Sequence, residues 1–222
     1  MAIKTTRAFI LAAVLSLGAA ACHLASAASF TLPAAATDEP AAAPKGTRTA
    51  VVAGGCFWGI QAVFQHVKGV VSATSGYSGG SAASAHYEIV SSGTTEHAES
   101  VKITYDPSQI TYGQLLRVFL QVGHDPTELN RQGPDTGTQY RSVIFYADAE
   151  QQRVAEAYLA QLRQANAFPR PIVTRVTPLK AFYPAEDYHQ DYARRHPHDL
   201  YIVYNDAPKV ENLKTEFPEL YR

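Results

Sequence analysis

A glycine-flanked cysteine is the strongest candidate for covalent chemistry in this 222-residue chain. Cys56 follows Gly54-Gly55 and precedes the aromatic pair Phe57-Trp58. A β-branched stretch before the cysteine and apolar residues at helical spacing after it predict a strand-to-helix junction. The N-terminal end of a helix lowers the pKa of a thiol and activates it for attack, and we interpret the glycines as room for a substrate. The alternative is an inert, buried cysteine.

A carboxyl group on the apolar face of a predicted strand is a second candidate. Over residues 99–105, Glu99 alternates with polar positions and shares a face with Val101, Ile103 and Tyr105, so its side chain should face the core. Burial raises the pKa of a carboxyl group, which then holds a proton at neutral pH and can donate it. Taken alone, Glu99 is equally compatible with a surface position at the start of a strand.

Hydrophobic periodicity predicts the elements that position these groups. Strands are expected over residues 47–53, 70–77, 99–105, 141–146 and 172–177. Helices are expected after Cys56 and over residues 111–122, 148–166 and 208–220. Loops are expected over residues 78–85 and 123–139, and the second is long enough to suggest a functional loop. This alternation predicts an α+β fold, a two-layer sandwich of helices packed on a mixed β-sheet.

The N-terminal residues are typical of an export signal. A positively charged start precedes an uncharged apolar run over residues 8–20, which is too short to span a bilayer comfortably. Small residues at 25–27 supply a cleavage pattern, so residues 1–27 are predicted to be a signal peptide and the protein to be exported to the periplasm. Cleavage before Cys22 would instead leave a lipidated cysteine and a membrane anchor, but the residue pattern favours ordinary cleavage.

The rest of the chain divides into a spacer and one domain. Residues 28–46 are rich in Ala and Pro and are predicted to be a disordered spacer. Residues 47–222 are predicted to be a single catalytic domain. The chain carries 19 Lys and Arg against 20 Asp and Glu, a balance that argues against nucleic-acid binding. A metal site is not expected, because no cysteine accompanies the tight pair His196 and His198.

Several short motifs, spread in order over residues 51–192, resemble those of the A-type peptide methionine sulfoxide reductases. The motifs that carry the resemblance are Gly55-Cys56-Phe57-Trp58-Gly59, Gly76-Tyr77-Ser78-Gly79-Gly80, Tyr87-Glu88-Ile89-Val90, Glu96-His97-Ala98-Glu99, Tyr105-Asp106-Pro107, His124-Asp125-Pro126, Gly137-Thr138-Gln139-Tyr140-Arg141-Ser142 and Phe182-Tyr183-Pro184-Ala185-Glu186-Asp187-Tyr188-His189-Gln190. The resemblance implies a ferredoxin-like arrangement and the thiol-dependent reduction of methionine S-sulfoxide, in proteins and also as the free amino acid.

The resemblance also implies roles for the reacting groups. Cys56 would attack the sulfoxide sulfur as a thiolate, and Glu99 would donate a proton to the departing oxygen. Tyr87 and Tyr140 would donate hydrogen bonds to that oxygen, where negative charge develops.

Three further positions would bind the substrate. By the same resemblance, Phe57 and Trp58 would hold the S-methyl group of the sulfoxide. Asp135, in the long polar loop, would help to orient the site through water or a tyrosine.

The sequence departs from the better-known family pattern because it contains no cysteine after Cys56. Its tail over residues 201–209 resembles members that lack the resolving cysteine, and Cys22 is a poor substitute. The resemblance therefore implies a one-cysteine cycle in which an external thiol, such as a thioredoxin-like protein, reduces a Cys56 sulfenic acid. No cofactor is expected. The expected partners are oxidised proteins and this reductant, and the protein is expected to be a monomer.

Two other functions stay open on the residues alone. Cys56 could act as a hydrolase nucleophile with His124 or His189 as the base. A non-catalytic, exported binding module could use the Phe57 and Trp58 rings to recognise an apolar side chain.

Overall fold

The computed structural model describes residues 31–39 and 46–222. The predicted signal peptide, Cys22 and the remainder of the predicted spacer lie outside these residues. Within the described ranges, no helix has both the length and the apolar character needed to cross a membrane.

Six strands form one mixed sheet, in which β1, β2 and β3 supply the central antiparallel part. The strands are β1 (Arg48–Ala53), β2 (Val70–Ser78), β3 (Ala98–Tyr105), β6 (Val143–Tyr146), β7 (Arg175–Pro178) and β8 (Phe182–Pro184). Their spatial order is β7-β6-β1-β3-β2-β8. Only β6 and β7 pair in parallel within this sheet of the described chain. The predicted α+β class with a mixed sheet is confirmed.

Six α-helices lie in the described part of the chain. They are α1 (Phe57–Gln65), α2 (Tyr87–Val90), α3 (Tyr112–Val118), α4 (Ala149–Gln164), α5 (Tyr192–Arg195) and α6 (Ala207–Glu216). The helices α1 and α4 contact the sheet, α3 packs on α4, and α6 packs on α1. α3 continues as a wide turn over Phe119–Gly123, and a second wide turn over Ile202–Asp206 leads into α6. The side chain of Asp148 accepts a hydrogen bond from the Gln151 N–H and so caps α4.

Residues 50–53 of strand β1 are buried on both faces of the sheet, which fixes the chain that leads to Cys56. Ala50 and Val52 join the main core under the helices, whereas Val51 and Ala53 join a smaller cluster on the opposite face. Successive side chains of a strand alternate between its two faces. Both faces of this part of β1 are therefore packed against other side chains. The β1–α1 junction is therefore held rigidly against β3.

The sequence prediction of the elements needs five corrections. The strands predicted over 141–146 and 172–177 begin later and run over Val143–Tyr146 and Arg175–Pro178, and the last helix ends at Glu216. The aromatic segment near residue 182 contributes the edge strand β8. The long polar loop is structured in part: it holds the short hairpin of β4 (Arg131–Gln132) and β5 (Asp135–Thr136), and a helical turn over Thr138–Tyr140.

The prediction of a disordered spacer is wrong for residues 31–39. Leu32 is fully buried in the main core, and its carbonyl oxygen accepts a hydrogen bond from Arg117 Nε at 2.7 Å. The next carbonyl, that of Pro33, accepts a hydrogen bond from the Tyr158 hydroxyl at 2.8 Å. This segment is a docked part of the folded domain.

Two acidic residues complete the docking of this N-terminal segment. The carboxylate of Asp38 accepts hydrogen bonds from the Thr111 hydroxyl and from the Gly113 N–H, at the start of α3. Glu39 is 8% exposed and forms a salt bridge of 2.9 Å with Arg48 at the start of β1. Composition alone predicted disorder because it does not register these specific partners.

Candidate active site

The thiol of Cys56 lies between β1 and α1, where Cys56 is the N-cap residue of the helix. The chain turns at Gly55 with φ +96°, a conformation that favours glycine. A Cβ at Gly54 would lie 2.6 Å from the ring of His124, and one at Gly55 would lie 2.6 Å from Gln132. Glycine is therefore needed at both positions because side chains of the protein itself pack against this loop. From the sequence alone, the glycines are instead interpreted as space for a substrate.

Burial raises the pKa of the Cys56 thiol, contrary to the expectation from its place at a helix N-terminus. The residue is 7% exposed, and loss of solvation is the largest effect on its pKa. Negative charges on Glu99 and Asp206 raise the pKa further, whereas the Trp58 N–H and the Lys209 ammonium group act in the opposite direction. Ionisation of this thiol therefore depends on the charge state of its neighbours.

Glu99 projects from β3 to the start of α1 and is 2% exposed. Its Oε2 accepts a hydrogen bond of 3.1 Å from the Phe57 N–H, one of the free amides of the first helical turn. Burial raises the pKa of Glu99 to about 8, although this hydrogen bond opposes the shift. The carboxyl group is thus mostly protonated at neutral pH and can donate a proton.

Two tyrosines present phenol groups to the same region. Tyr87 begins α2, where its N–H donates to Glu186 Oε1 at 2.9 Å. Tyr140 ends the helical turn that starts at Thr138. Burial raises the pKa of both phenols, so both keep their protons and can donate hydrogen bonds.

Aromatic rings form one side of the site. The ring centroids of Phe57 and Trp58 lie 6.5 Å apart. The Trp58 indole stacks on Tyr192 with centroids 3.8 Å apart and an interplanar angle of 10°. Phe57 also contacts Tyr77 of β2 at 5.8 Å. These contacts fix both rings in place beside the thiol.

Asp135 belongs to the short strand β5 and is joined to a residue that sequence reasoning missed. Its carboxylate accepts a hydrogen bond from the Tyr201 hydroxyl. The Tyr201 ring meets the edge of Trp58 at 5.9 Å. Burial raises the pKa of Asp135, and the hydrogen bond from Tyr201 opposes that shift.

One small pocket brings all seven sequence-predicted residues together. Its volume is about 200 Å³, and it is lined by Cys56, Phe57, Trp58, Tyr87, Glu99, Asp135, Tyr140 and Tyr201. A thiol, a protonated carboxyl group and phenol donors thus converge beside aromatic rings. Such a pocket suits a small substrate that has both an apolar group and an oxygen to be protonated.

Comparison with known proteins identifies the family. A sequence model described as peptide methionine sulfoxide reductase matches residues 48–220. Peptide methionine sulfoxide reductase MsrA 2 of Mesorhizobium japonicum is 59% identical over 184 residues, which cover 83% of this chain and 93% of that protein. This chain belongs to the peptide methionine sulfoxide reductase family. It is accordingly an oxidoreductase of the A type.

Two similar solved structures agree with this assignment. The methionine sulfoxide reductase A of Corynebacterium diphtheriae has a TM-score of 0.60 and 36% identity, with 77% of this chain and 84% of that one covered. The reduced form of Mxr1 from Saccharomyces cerevisiae has a TM-score of 0.62 and 31% identity, with 71% of this chain and 90% of that one covered.

The histidines of this methionine sulfoxide reductase do not favour a hydrolase. His124 is buried, and its Nδ1 donates to the Phe119 carbonyl while Nε2 accepts from the Ser142 hydroxyl. His189 Nδ1 accepts from Trp58 Nε1 at 3.2 Å. Both candidate bases are thus committed to other partners. Among the residues that the structure describes, no group of three or more His, Cys, Asp or Glu is placed to hold a metal ion.

Sequence reasoning missed Tyr201 as a pocket residue, and the sequence carries little signal for it. The chain contains 13 tyrosines, so residue type alone does not distinguish one that lines a site. Tyr201 reaches the pocket because the wide turn over Ile202–Asp206 follows it and brings the C-terminal segment against α1. That contact depends on the tertiary fold.

Proposed function

We propose that this methionine sulfoxide reductase reduces the S epimer of methionine sulfoxide, in oxidised proteins and also as the free amino acid. The convergence of a thiol, a protonated carboxyl group and two phenols in one pocket of about 200 Å³ is the observation that supports this proposal. The substrate has a polarised sulfur–oxygen bond and a small apolar S-methyl group. Each of these features has a chemical counterpart in the pocket.

The reductive step transfers oxygen from the substrate sulfur to Cys56. The Cys56 thiolate attacks the sulfoxide sulfur while Glu99 protonates the sulfoxide oxygen. The hydroxyl group then moves from the substrate sulfur to Cys56 as the sulfur–oxygen bond of the substrate and the new bond between the two sulfurs break, which releases methionine, reduced by two electrons, and leaves Cys56 as a sulfenic acid, oxidised by two electrons. The hydrogen of the sulfenic acid is the proton that Glu99 donates, and the proton that the thiol loses on ionisation restores Glu99, so the step is balanced.

The remaining pocket residues bind and orient the substrate in this proposal. The hydroxyls of Tyr87 and Tyr140 donate hydrogen bonds to the sulfoxide oxygen as negative charge develops there. Phe57 and Trp58 hold the S-methyl group. Asp135 orients the site, and its hydrogen bond with a tyrosine hydroxyl supports the expectation that it acts through a tyrosine.

An external thiol completes the cycle, and no prosthetic group takes part. A first thiol condenses with the sulfenic acid and releases water, and a second thiol reduces the mixed disulfide and restores Cys56. The sequence supplies no cysteine after Cys56, which supports direct reduction by a thioredoxin-like protein or a small thiol.

The proposed setting is the periplasm, where the enzyme would repair oxidised proteins. The predicted signal peptide over residues 1–27 supports export, and lipidation at Cys22 would add a membrane anchor. We propose that the enzyme acts as a monomer.

Turnover of separated methionine sulfoxide epimers, with dithiothreitol as the reductant, tests this function. The proposal requires consumption of the S epimer alone and loss of activity in Cys56→Ser. Equal consumption of both epimers, or activity that survives Cys56→Ser, would contradict it. Hydrolysis of an ester or amide without a reductant would instead support the hydrolase alternative.

A further inference from the structure

His189 contacts the pocket residues from behind, although it does not line the pocket. It ends a helical turn over Asp187–His189 and is 2% exposed. The centroid of its ring lies 5.0 Å from that of Phe57, 5.7 Å from that of Trp58 and 4.5 Å from that of Tyr87. One imidazole thus touches two rings from α1 and one from α2.

A hydrogen bond determines which nitrogen of His189 carries the proton. Trp58 Nε1 donates to His189 Nδ1 at 3.2 Å. An indole nitrogen can only donate, so Nδ1 is the acceptor and the proton of the neutral ring lies on Nε2. A protonated imidazole has no free lone pair on Nδ1 and cannot accept this bond.

The opposite edge of His189 faces Glu186. Nε2 is buried without a hydrogen-bond partner among the described residues and lies 4.0 Å from Glu186 Oε2. That carboxylate already accepts hydrogen bonds of 2.9 Å from the Tyr77 hydroxyl and from the Tyr87 N–H. His189 therefore contacts α1 through the indole of Trp58, and Glu186 contacts α2 through the backbone N–H of Tyr87.

We propose that His189 is a positioning residue for this reductase, which holds Trp58 and Tyr87 in register with Cys56 only while its imidazole is neutral. His189 holds these residues through the hydrogen bond that its Nδ1 accepts from the indole and through the packing of its ring on Phe57 and Tyr87. The inference depends on the proposed function, because Trp58 and Tyr87 are there assigned to the substrate methyl group and oxygen. Protonation of His189 breaks the hydrogen bond and releases the indole.

Burial supports the neutral state of His189. It lowers the pKa of the ring from the ordinary value of 6.5, and the negative charge of Glu186 opposes that effect. The titratable groups that face the ring are Glu186 and Tyr188 on its own segment and Tyr87 on α2. Release of the indole is therefore expected below pH 6.5.

Trp58 is the only tryptophan of the sequence, so its fluorescence reports on this contact directly. We would titrate the full chain, its His189→Leu and His189→Asn variants, and His198→Leu as a control at an exposed histidine. Protonated imidazole quenches indole fluorescence. We expect wild type and His198→Leu to lose emission on acidification below pH 6.5, and we expect no such transition in His189→Leu.

Kinetics with N-acetyl-methionine S-sulfoxide and dithiothreitol supply the second measurement. We expect His189→Leu to lower kcat/KM about tenfold, the effect of leaving one buried hydrogen-bond donor without a partner. His189→Asn places a side-chain oxygen near the position of Nδ1, so it should recover part of the loss. His198→Leu should match wild type.

Two results would overturn the proposal. One is an acid transition of Trp58 emission that persists without His189. The other is an equal loss of activity in the Asn and Leu variants, with both variants as resistant to urea as wild type. If the Leu variant does not fold, the fluorescence titration of wild type and the measurements on the Asn variant still test the proposal. Absence of sulfoxide turnover by wild type would refute the proposed function, while the fluorescence titration would still test the contact of His189 with Trp58.

Discussion

In the proposed mechanism, the protonation state of Glu99 controls two steps of the chemistry at once. Its pKa of about 8 keeps the carboxyl group neutral at pH 7, so it holds the proton that the proposed step transfers to the sulfoxide oxygen. A negative charge on Glu99 raises the pKa of Cys56, and the neutral carboxyl group removes that obstacle to thiolate formation. One proton on Glu99 therefore supports both the acid and the nucleophile.

Replacement of Glu99 by Gln should separate acid catalysis from packing. The amide oxygen can still accept the Phe57 N–H, but Gln has no proton to donate. We expect kcat/KM for methionine S-sulfoxide to fall by about 10² to 10⁴, the usual contribution of a positioned acid. Steady-state assays with dithiothreitol, from pH 5 to 9.5, measure this loss.

The same assays test a predicted decline of kcat/KM with rising pH. Wild-type kcat/KM should decline as the pH rises through about 8, because Glu99 loses its proton there. Glu99→Gln should lack this decline. Glu96→Gln, at an exposed carboxylate on the same chain segment, should behave as wild type. A decline that persists in Glu99→Gln would assign the titration to another group.

Sequence reasoning identified residues within motifs and missed residues that act through tertiary contacts. Cys56, Glu99 and Tyr87 each lie in a short motif, so a local pattern was enough. The sign of the Cys56 pKa shift could not be predicted, because burial outweighs the helix N-terminus and burial is a property of the whole fold. His189 also lies in one of these motifs, but its hydrogen bond with Trp58 joins segments that are far apart in sequence.

At the scale of elements, the docked N-terminal segment extends the domain beyond the first strand. Periodicity predicted the core strands and helices because each has several apolar positions. Residues 31–39 bury a single large apolar side chain, Leu32, and their other anchors are hydrogen bonds to distant residues and the salt bridge of Glu39 with Arg48. A single apolar residue has no periodicity, so the sequence could not predict the contact of Leu32 with the core.

Leu32→Ala should destabilise the domain through the cavity that it leaves. Removal of a fully buried Leu side chain typically costs about 2–5 kcal/mol in the free energy of unfolding, and Leu32 is 0% exposed. Urea unfolding followed by circular dichroism measures the change. Ala34→Ser, at an exposed neighbour, should stay within about 0.5 kcal/mol of wild type. Equal stability of the two variants would show that the segment is not docked in solution.

At the scale of the whole molecule, a single described cysteine limits what one enzyme can do without a reductant. Cys56 is the free cysteine within residues 31–39 and 46–222, and the sequence has one other, Cys22. We therefore expect each molecule to release one methionine and then stop. Mass spectrometry should find one added oxygen on Cys56, and Cys22→Ser should give the same result. A disulfide between Cys22 and Cys56 in wild type would contradict the one-cysteine cycle.

The methionine content of the chain leads to a prediction about oxidative damage. The sequence contains one methionine, Met1, so the folded domain has no site for the lesion that the enzyme repairs. A limited dose of hydrogen peroxide should oxidise Cys56 to the sulfenic acid, which a thiol reverses. Activity and mass measured before and after dithiothreitol should therefore recover together. Leu129→Met, at a side chain 59% exposed, supplies the contrast: part of its added oxygen should persist after dithiothreitol, because an enzyme specific for one epimer leaves the other. Peptide mapping locates any oxygen that persists on the wild-type domain, since over-oxidised Cys56 also resists dithiothreitol. Persistent oxygen at residues other than Cys56 would show that freedom from methionine gives no protection.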